Sequence, residues 1–318
     1  MLKKPKKYDV VSVGGATMDI LFFSKEGELI STGNLTKQKL LAFEYGAKIP
    51  ADRVFFTYGG GAANSAVTFS RLGLKAAAIC RVGNDDNGRG ALENLKRNGV
   101  DTSGVKVDPK MTTAFSVILT INNEAKEHIA FVHRGANSQF SAKDLSLENI
   151  AADWYYVTSL PKIGWEEIIA KIIRTKKNLV WNPGNEQLNQ IEKLKKFLPT
   201  VKVFMVNHNE ALEFRKLKDI KGLITYIKKL GPQIVVLTDG RNGAYIFDGK
   251  KYYFMKARSI KTVNTLGVGD AFGSALTAAL IHGKNIKQAL EWGIKNSAAV
   301  VSEIGAQKGI LTRRQIEK

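Results

Sequence analysis

Asn264-Thr265-Leu266-Gly267-Val268-Gly269-Asp270, followed by an apolar run over 271–281, is the stretch on which the reading of the fold turns. The run is apolar nearly all round at helical spacing, which predicts a helix buried on every side. Glycines just before a helix let the backbone come close to a ligand. The unpaired N–H groups of the first turn, with the positive end of the helix dipole, make that place an anion site. Phosphoryl transfer requires charge-stabilising donors and one carboxylate that takes a proton from the attacking hydroxyl. Both occur here: the backbone around Gly267 and Gly269, and the side chain of Asp270. An Asp at a helix start also serves as a plain N-cap, so this segment alone leaves both readings open.

Outward from this stretch, strand-like apolar runs alternate with helix-period segments. Residues 8–13, 76–82, 154–158, 179–181, 203–206 and 234–238 read as strands, and 62–72, 88–98 and 286–301 as helices. The alternation predicts βαβ units and an α/β fold, with a central, mostly parallel sheet flanked by helices. Two stretches break the pattern. Residues 20–49 and 113–133 hold short alternating segments and turn signals such as Asn122-Asn123. These hairpin-like pieces, distant in sequence, are expected to pair into a small β lid over a site. There is no internal repeat, low-complexity segment or Pro/Ser-rich linker. The 318 residues are therefore expected to form one domain, with a lid from about 16–50 and 112–134.

Composition narrows the function classes. At 44% hydrophobic residues the chain can bury a sizeable core, yet it holds no apolar run long enough to cross a membrane. The basic start runs straight into a strand-like segment and reads as a short exposed tail, not a signal peptide. The single cysteine, Cys80, lies in an apolar run and reads as a small buried hydrophobe in a reducing, cytoplasmic setting. The net charge of +19 is spread along the chain without aromatic interleaving. It predicts a generally basic surface that attracts polyanions such as ATP, and no nucleic-acid partner. His128, His133, His208 and His282 lack metal-ligand spacing, and there is no G-x-S-x-G elbow, so zinc and serine hydrolases fit poorly.

Four more segments carry candidate residues. Gly59-Gly60-Gly61-Ala62-Ala63-Asn64 leads into a helix; it is not a Walker A loop, but it permits close backbone approach, and Asn64 offers an amide to hydroxyl groups. Asp19 follows the first strand, where ligands of open α/β sheets bind, and its carboxylate suits sugar hydroxyls. Asn207 and Glu210 are three residues apart, a spacing that lets them hold hydrated Mg²⁺ from one helical turn or simply start that helix. The turn Thr238-Asp239-Gly240-Arg241-Asn242-Gly243 suits phosphate oxygens or a plain hairpin equally well.

In their order, these segments resemble the ribokinase-like (PfkB-type) carbohydrate and nucleoside kinases over essentially the whole chain. GGGAANSAVTFSRLG and NTLGVGDAF look like the two hallmark motifs, with GGATMD, RVGNDDNG, HRGAN, WNPG, VNHNEA and LTDGRNG in sequence between them. The resemblance implies a ribokinase-like fold with a β lid and transfer of the ATP γ-phosphate to a sugar-like hydroxyl. It makes Asp270 the catalytic base and the backbone at Gly267 and Gly269 the anion hole. Asp19, Gly60, Gly61 and Asn64 take the substrate side. Asn207, Glu210, Thr238, Gly240, Gly243 and Asn296 take the nucleotide side, with Glu210 reaching Mg²⁺ through water. A homodimer through the lid is also implied.

Some positions depart from the family pattern. Asn264 stands where a carboxylate helps to ligate a monovalent cation in cation-activated members, which puts K⁺ activation in doubt. Gly61 stands where ribokinases proper carry a Lys, and Val157-Thr158-Ser159-Leu160 lacks their Glu. Gly61 is expected to leave room for a nucleoside base, so a ribonucleoside kinase is the runner-up. A non-catalytic nucleotide- or sugar-binding regulator is the reading from another class.

Overall fold

Lys6–Val13 is solvent-exposed at its start and wholly buried from Val10 onward, and the central sheet is built on both sides of it. The computed structural model describes residues 5–32, 39–121, 128–217 and 219–318. The turn expected at Asn122-Asn123 and the first four residues of the basic tail lie outside these.

Among the described residues the main sheet has eight strands. From one edge they run Tyr252–Met255, Ala244–Phe247, Ile234–Thr238, Val203–Asn207, Asn178–Trp181, Ile150–Val157, Lys6–Val13 and Ala76–Ile79. The last six are parallel, and the first two form an antiparallel edge. Alternating side chains feed two cores. Val11, Val157, Trp181, Val206 and Leu237 pack beneath helices Trp165–Ile173 and Ile220–Lys229. Val10, Tyr156, Val180, Met205 and Val236 pack against Phe69 of helix Gly61–Arg71 and against helices Val268–Ile281 and Ile286–Val301. A parallel sheet covered on both faces needs such apolar runs, and this is why they alternate so cleanly with helices along the chain. Helix Val268–Ile281 is buried from Ala271 to Ala279, as its all-round apolar pattern requires.

Strand order reverses between Lys6–Val13 and Ile150–Val157. The chain leaves the first toward Ala76–Ile79 and leaves the second toward the opposite edge. A crevice at the carboxyl ends of the strands forms at such a switch point. Here it opens at Gly14, Gly15 and Ser159.

The lid is a four-stranded sheet, Ile129–His133, Phe115–Ile121, Thr17–Ser24 and Arg53–Gly59 in that order. The two distant segments do meet, through parallel pairing of Thr17–Ser24 with Phe115–Ile121. The lid also takes in Arg53–Gly59, which carries it past the expected boundary near residue 50. One lid face, with Asp19, Leu21, Phe23 and Ile118, is buried toward the body. On the other face, cross-strand rows read Val54, Phe22, Leu119, Ile129 and then Phe56, Ile20, Val117, Phe131. Phe56 and Phe131 are 67% and 64% exposed, so the apolar rows face outward.

The strand expected over 76–82 is broken at Cys80. Ala76–Ile79 stays in the main sheet, while Arg81–Gly83 pairs with Lys106–Asp108. The break follows the Arg81 guanidinium, which donates to Asp108 at 2.9 Å and to Asp144 at 3.1 Å. Cys80 is fully buried, and burial pushes its thiol up to about 12.

Candidate active site

Two helices point their N-termini into the crevice, and among the described residues neither carries a side-chain cap. Each starts after a glycine in a left-handed conformation: Gly60 at φ 91° and Gly267 at φ 68°. A Cβ on Gly60 would lie 2.5 Å from the Gly15 carbonyl oxygen, and one on Gly267 2.4 Å from Ala306 Cβ. Both positions thus demand glycine for conformation and for space.

Asp270 is not the cap of its helix. Gly267 holds that place, and the Asp270 carboxylate receives a hydrogen bond from Asn64 Nδ2 at 2.9 Å. This contact joins the two helix starts and leaves the first-turn N–H groups facing a cavity of about 240 Å³. That cavity is lined by Asn207, Glu210, Thr238, Gly267, Gly269 and Asp270, among others. A helix N-terminus without a cap is an anion site. Burial holds the Asp270 carboxyl above its ordinary range, and the Asn64 N–H pulls the other way.

A second cavity, of about 560 Å³, adjoins the first at Thr265 and Val268; its wall includes Gly240, Arg241, Lys256, Arg258, Ile294 and Ser297. Apolar walls with basic side chains suit a nucleotide. Asn296, expected there, is instead fully buried. Its amide donates to the Ala271 carbonyl and accepts from Leu311 N–H, so it braces the two closing helices, and its neighbours Ile294 and Ser297 line the cavity. Gly243 also lies behind the wall, where a Cβ would meet the Met255 carbonyl oxygen at 2.1 Å. It allows the hairpin to close.

A third cavity, of about 140 Å³, lies under the lid and is lined by Gly14, Gly15, Thr17, Gly60, Gly61, His133, Arg134 and Asn137, among others. Asp19 and Asn64 sit behind it, each 4% exposed. Burial pushes the Asp19 carboxyl up to about 6, and the charge of Asp270 adds to the rise; hydrogen bonds from Ser116 and Thr17 oppose it. Gly61 packs on Thr158. A Cβ there would lie 2.5 Å from Thr158 Oγ1 and 2.6 Å from Thr158 Cβ. Position 61 therefore admits no larger side chain, while Gly61 itself lines the cavity.

Asn207 and Glu210 form a reciprocal cap: Asn207 Oδ1 accepts from Glu210 N–H at 2.9 Å, and Glu210 Oε2 from Asn207 N–H at 2.8 Å. Burial raises the Glu210 carboxyl. Among the described residues no cluster of three or more His, Cys, Asp or Glu could cage a metal. One carboxylate among oxygen donors facing a phosphate-sized cavity nonetheless fits Mg²⁺, which keeps its waters and takes other ligands from phosphates. Asn264 is buried, with its amide donating to the Glu303 carbonyl at 2.6 Å and accepting from Leu266 N–H at 2.9 Å.

Several site residues escaped the sequence reading. Thr158 and Asn137 were visible only as parts of motifs without roles; Asn137 brackets Ala16, accepting from its N–H and donating to its carbonyl. Gln307 gave no signal at all. Its Nε2 donates to Asn64 Oδ1 at 2.9 Å.

Comparison with known proteins agrees with this geometry. A family model described as pfkB family carbohydrate kinase matches residues 10–313. Ribokinase of Bacillus subtilis is 28% identical over 267 residues, covering 82% of this chain and 86% of that one. Ribokinase of Thermotoga maritima superposes with a TM-score of 0.80 at 19% identity, over 98% of each chain. A Burkholderia thailandensis nucleoside kinase, solved with inosine, gives 0.80 at 20% identity, over 96% of this chain and 94% of that one. At such identities the solved structures speak for the fold.

Because folded Asp19 keeps its proton to about pH 6, while an unfolded Asp loses it near 4, its stabilising share is lost as pH rises through that window. Asp19→Asn is therefore expected to melt above the wild type at pH about 8, with the gap closing below about 4. Thermal melts at the two pH values check this, and a lower melting point for the variant at the higher pH would contradict it.

Proposed function

The chain belongs to the pfkB family of carbohydrate kinases, and we propose that it transfers the γ-phosphoryl group of ATP to a hydroxyl of a sugar or sugar-like molecule, with Asp270 as base. ATP-dependent phosphotransfer to a small polyol or nucleoside is the coarser activity that the family carries. One observation supports the reading above the others. Asp270 is half-buried and ionisable, held by Asn64, and stands at a helix start that lines a cavity adjoining a nucleotide-sized one.

In this reading the substrate enters by the lid cavity and lies between it and Asp270, with Asp19, just behind the cavity wall, accepting hydrogen bonds from its hydroxyls. The reacting hydroxyl loses its proton to Asp270 as its oxygen bonds to the γ-phosphorus, and the bond to the bridging oxygen of ADP breaks. First-turn N–H groups at Gly267 and Gly269 receive the charge on the transferring group. Mg²⁺, when bound, neutralises phosphate charge; Glu210 and Asn207 would hold it through water. Gly240 and Thr238 flank the nucleotide. A sugar suits the site better than a nucleoside, because the lid cavity is small. The Asn264 amide already holds the Glu303 carbonyl, and this supports turnover without a monovalent cation. The outward apolar rows of the lid are suited to cover by a second copy, giving a homodimer.

Coupled ADP-release assays over pentoses, hexoses, sugar acids and nucleosides test the activity. Asp270→Asn is expected to lower kcat by about 10²-fold or more; unchanged turnover would remove Asp270 from the role of base. Replacing KCl with a buffer free of monovalent metal ions should leave the rate essentially unchanged, and strong K⁺ activation would contradict the Asn264 argument. Phe131→Glu should convert a dimer to a monomer in sedimentation velocity. A wild type that sediments as a monomer would refute the lid interface.

A further inference from the structure

Behind Asp270 three side-chain amides stand in series. Asn94 Nδ2 donates to Gln307 Oε1 at 2.7 Å, Gln307 Nε2 to Asn64 Oδ1 at 2.9 Å, and Asn64 Nδ2 to Asp270 Oδ2 at 2.9 Å. The series begins on the half-exposed face of helix Asp86–Arg97, passes through the loop after helix Ile286–Val301, and ends at the carboxylate. The loop is well fixed: Ala306 packs against Gly267, and Gly305 against Thr57 of the lid.

An amide can face a neighbour with its oxygen or with its N–H, and only its partners decide which. Asn64 is buried between two of them. Turned over, it would set its oxygen against a carboxylate oxygen and its NH₂ against the NH₂ of Gln307. The group that fixes it from behind is Gln307, itself oriented by Asn94.

We propose that Gln307 is a positioning residue for Asp270, acting through Asn64 to keep an N–H rather than an oxygen turned toward the carboxylate; this rests on the reading of Asp270 as base. The surroundings give the arrangement its importance. Asn64 faces Asp270 from helix Gly61–Arg71, Asp19 from the lid, Tyr156 from the sheet, and Glu210 from across the cavity. Two of these are acids and Tyr156 stays neutral, so none of the three favours the ionised carboxylate. Burial opposes it as well. The Asn64 N–H, with the helix start, is what favours the form able to take a proton.

The test is the acid limb of kcat against pH. Gln307→Met keeps the length but offers no amide, so Asn64 becomes free to turn. Gln307→Glu offers only oxygens when ionised, which draws the Asn64 N–H to itself and leaves an oxygen for Asp270. The limb is expected to move to higher pH by about half a unit to one unit in the Met variant, and further in the Glu variant. The plateau at high pH should stay near that of the wild type. Asn94→Leu, at the exposed end, should move the limb the same way by less, and it decides the matter if either Gln307 variant fails to fold in thermal melts. A lowered plateau with the limb unmoved would mean a merely structural role and overturn the proposal. If Asp270→Asn is inactive while the limbs stay put, only the role of Gln307 falls; if Asp270→Asn turns over normally, the reading of the base falls with it.

Discussion

The hydrogen bond from Asn64 to Asp270 ties together the starts of two helices that lie 206 residues apart in the chain. Each helix is delivered to the crevice by its own glycine in a left-handed turn, and each is held from behind by the sheet. If the two starts drifted apart, the Asp270 carboxylate would lose the Asn64 N–H that faces it. A displacement of roughly one ångström in such a constellation costs orders of magnitude in rate. The closing helical pair, the brace at Asn296 and the packing of Ala306 on Gly267 all serve this registration.

The site also stores unfavourable electrostatics. Asp19 is buried and Asp270 half-buried, and each is raised by loss of water. Placing two acids near one another in an apolar crevice lowers the stability of the empty protein and readies both as hydrogen-bond acceptors. The hydrophobic layers on both faces of the sheet offset that cost. Binding of a polyhydroxyl substrate under the lid would return to the carboxylates the donors that folding took from them.

Much of this was legible in the chain. Continuous apolar runs between helix-period segments marked the parallel strands, and an all-round apolar helix behind Gly269-Asp270 could only be buried. The glycines at 60 and 267 announced close backbone approach, because no other residue tolerates those angles and contacts. Other features had no local signature. Asn296 was placed on the nucleotide side by resemblance alone, and nothing in the chain shows which way an amide turns once two helices pack. Gln307 meets Asn64 across 243 residues, and an amide in a loop carries no pattern that points to such a partner. The break at Cys80 follows from an Arg81 contact with Asp144, 63 residues away, so an uninterrupted apolar run could not foretell it.

Thr158 beneath Gly61 has a consequence for the history open to this pocket. A larger side chain at 61 meets Thr158 head-on, and a smaller one at 158 leaves a void under a glycine that fills nothing. Either change alone is costly, whereas the two together exchange volume across the wall. The shape of the wall along this edge is therefore set by a pair of positions. Evolution or an engineer must pass through a poorer intermediate, 158 first and 61 second, to place a side chain on the glycine loop.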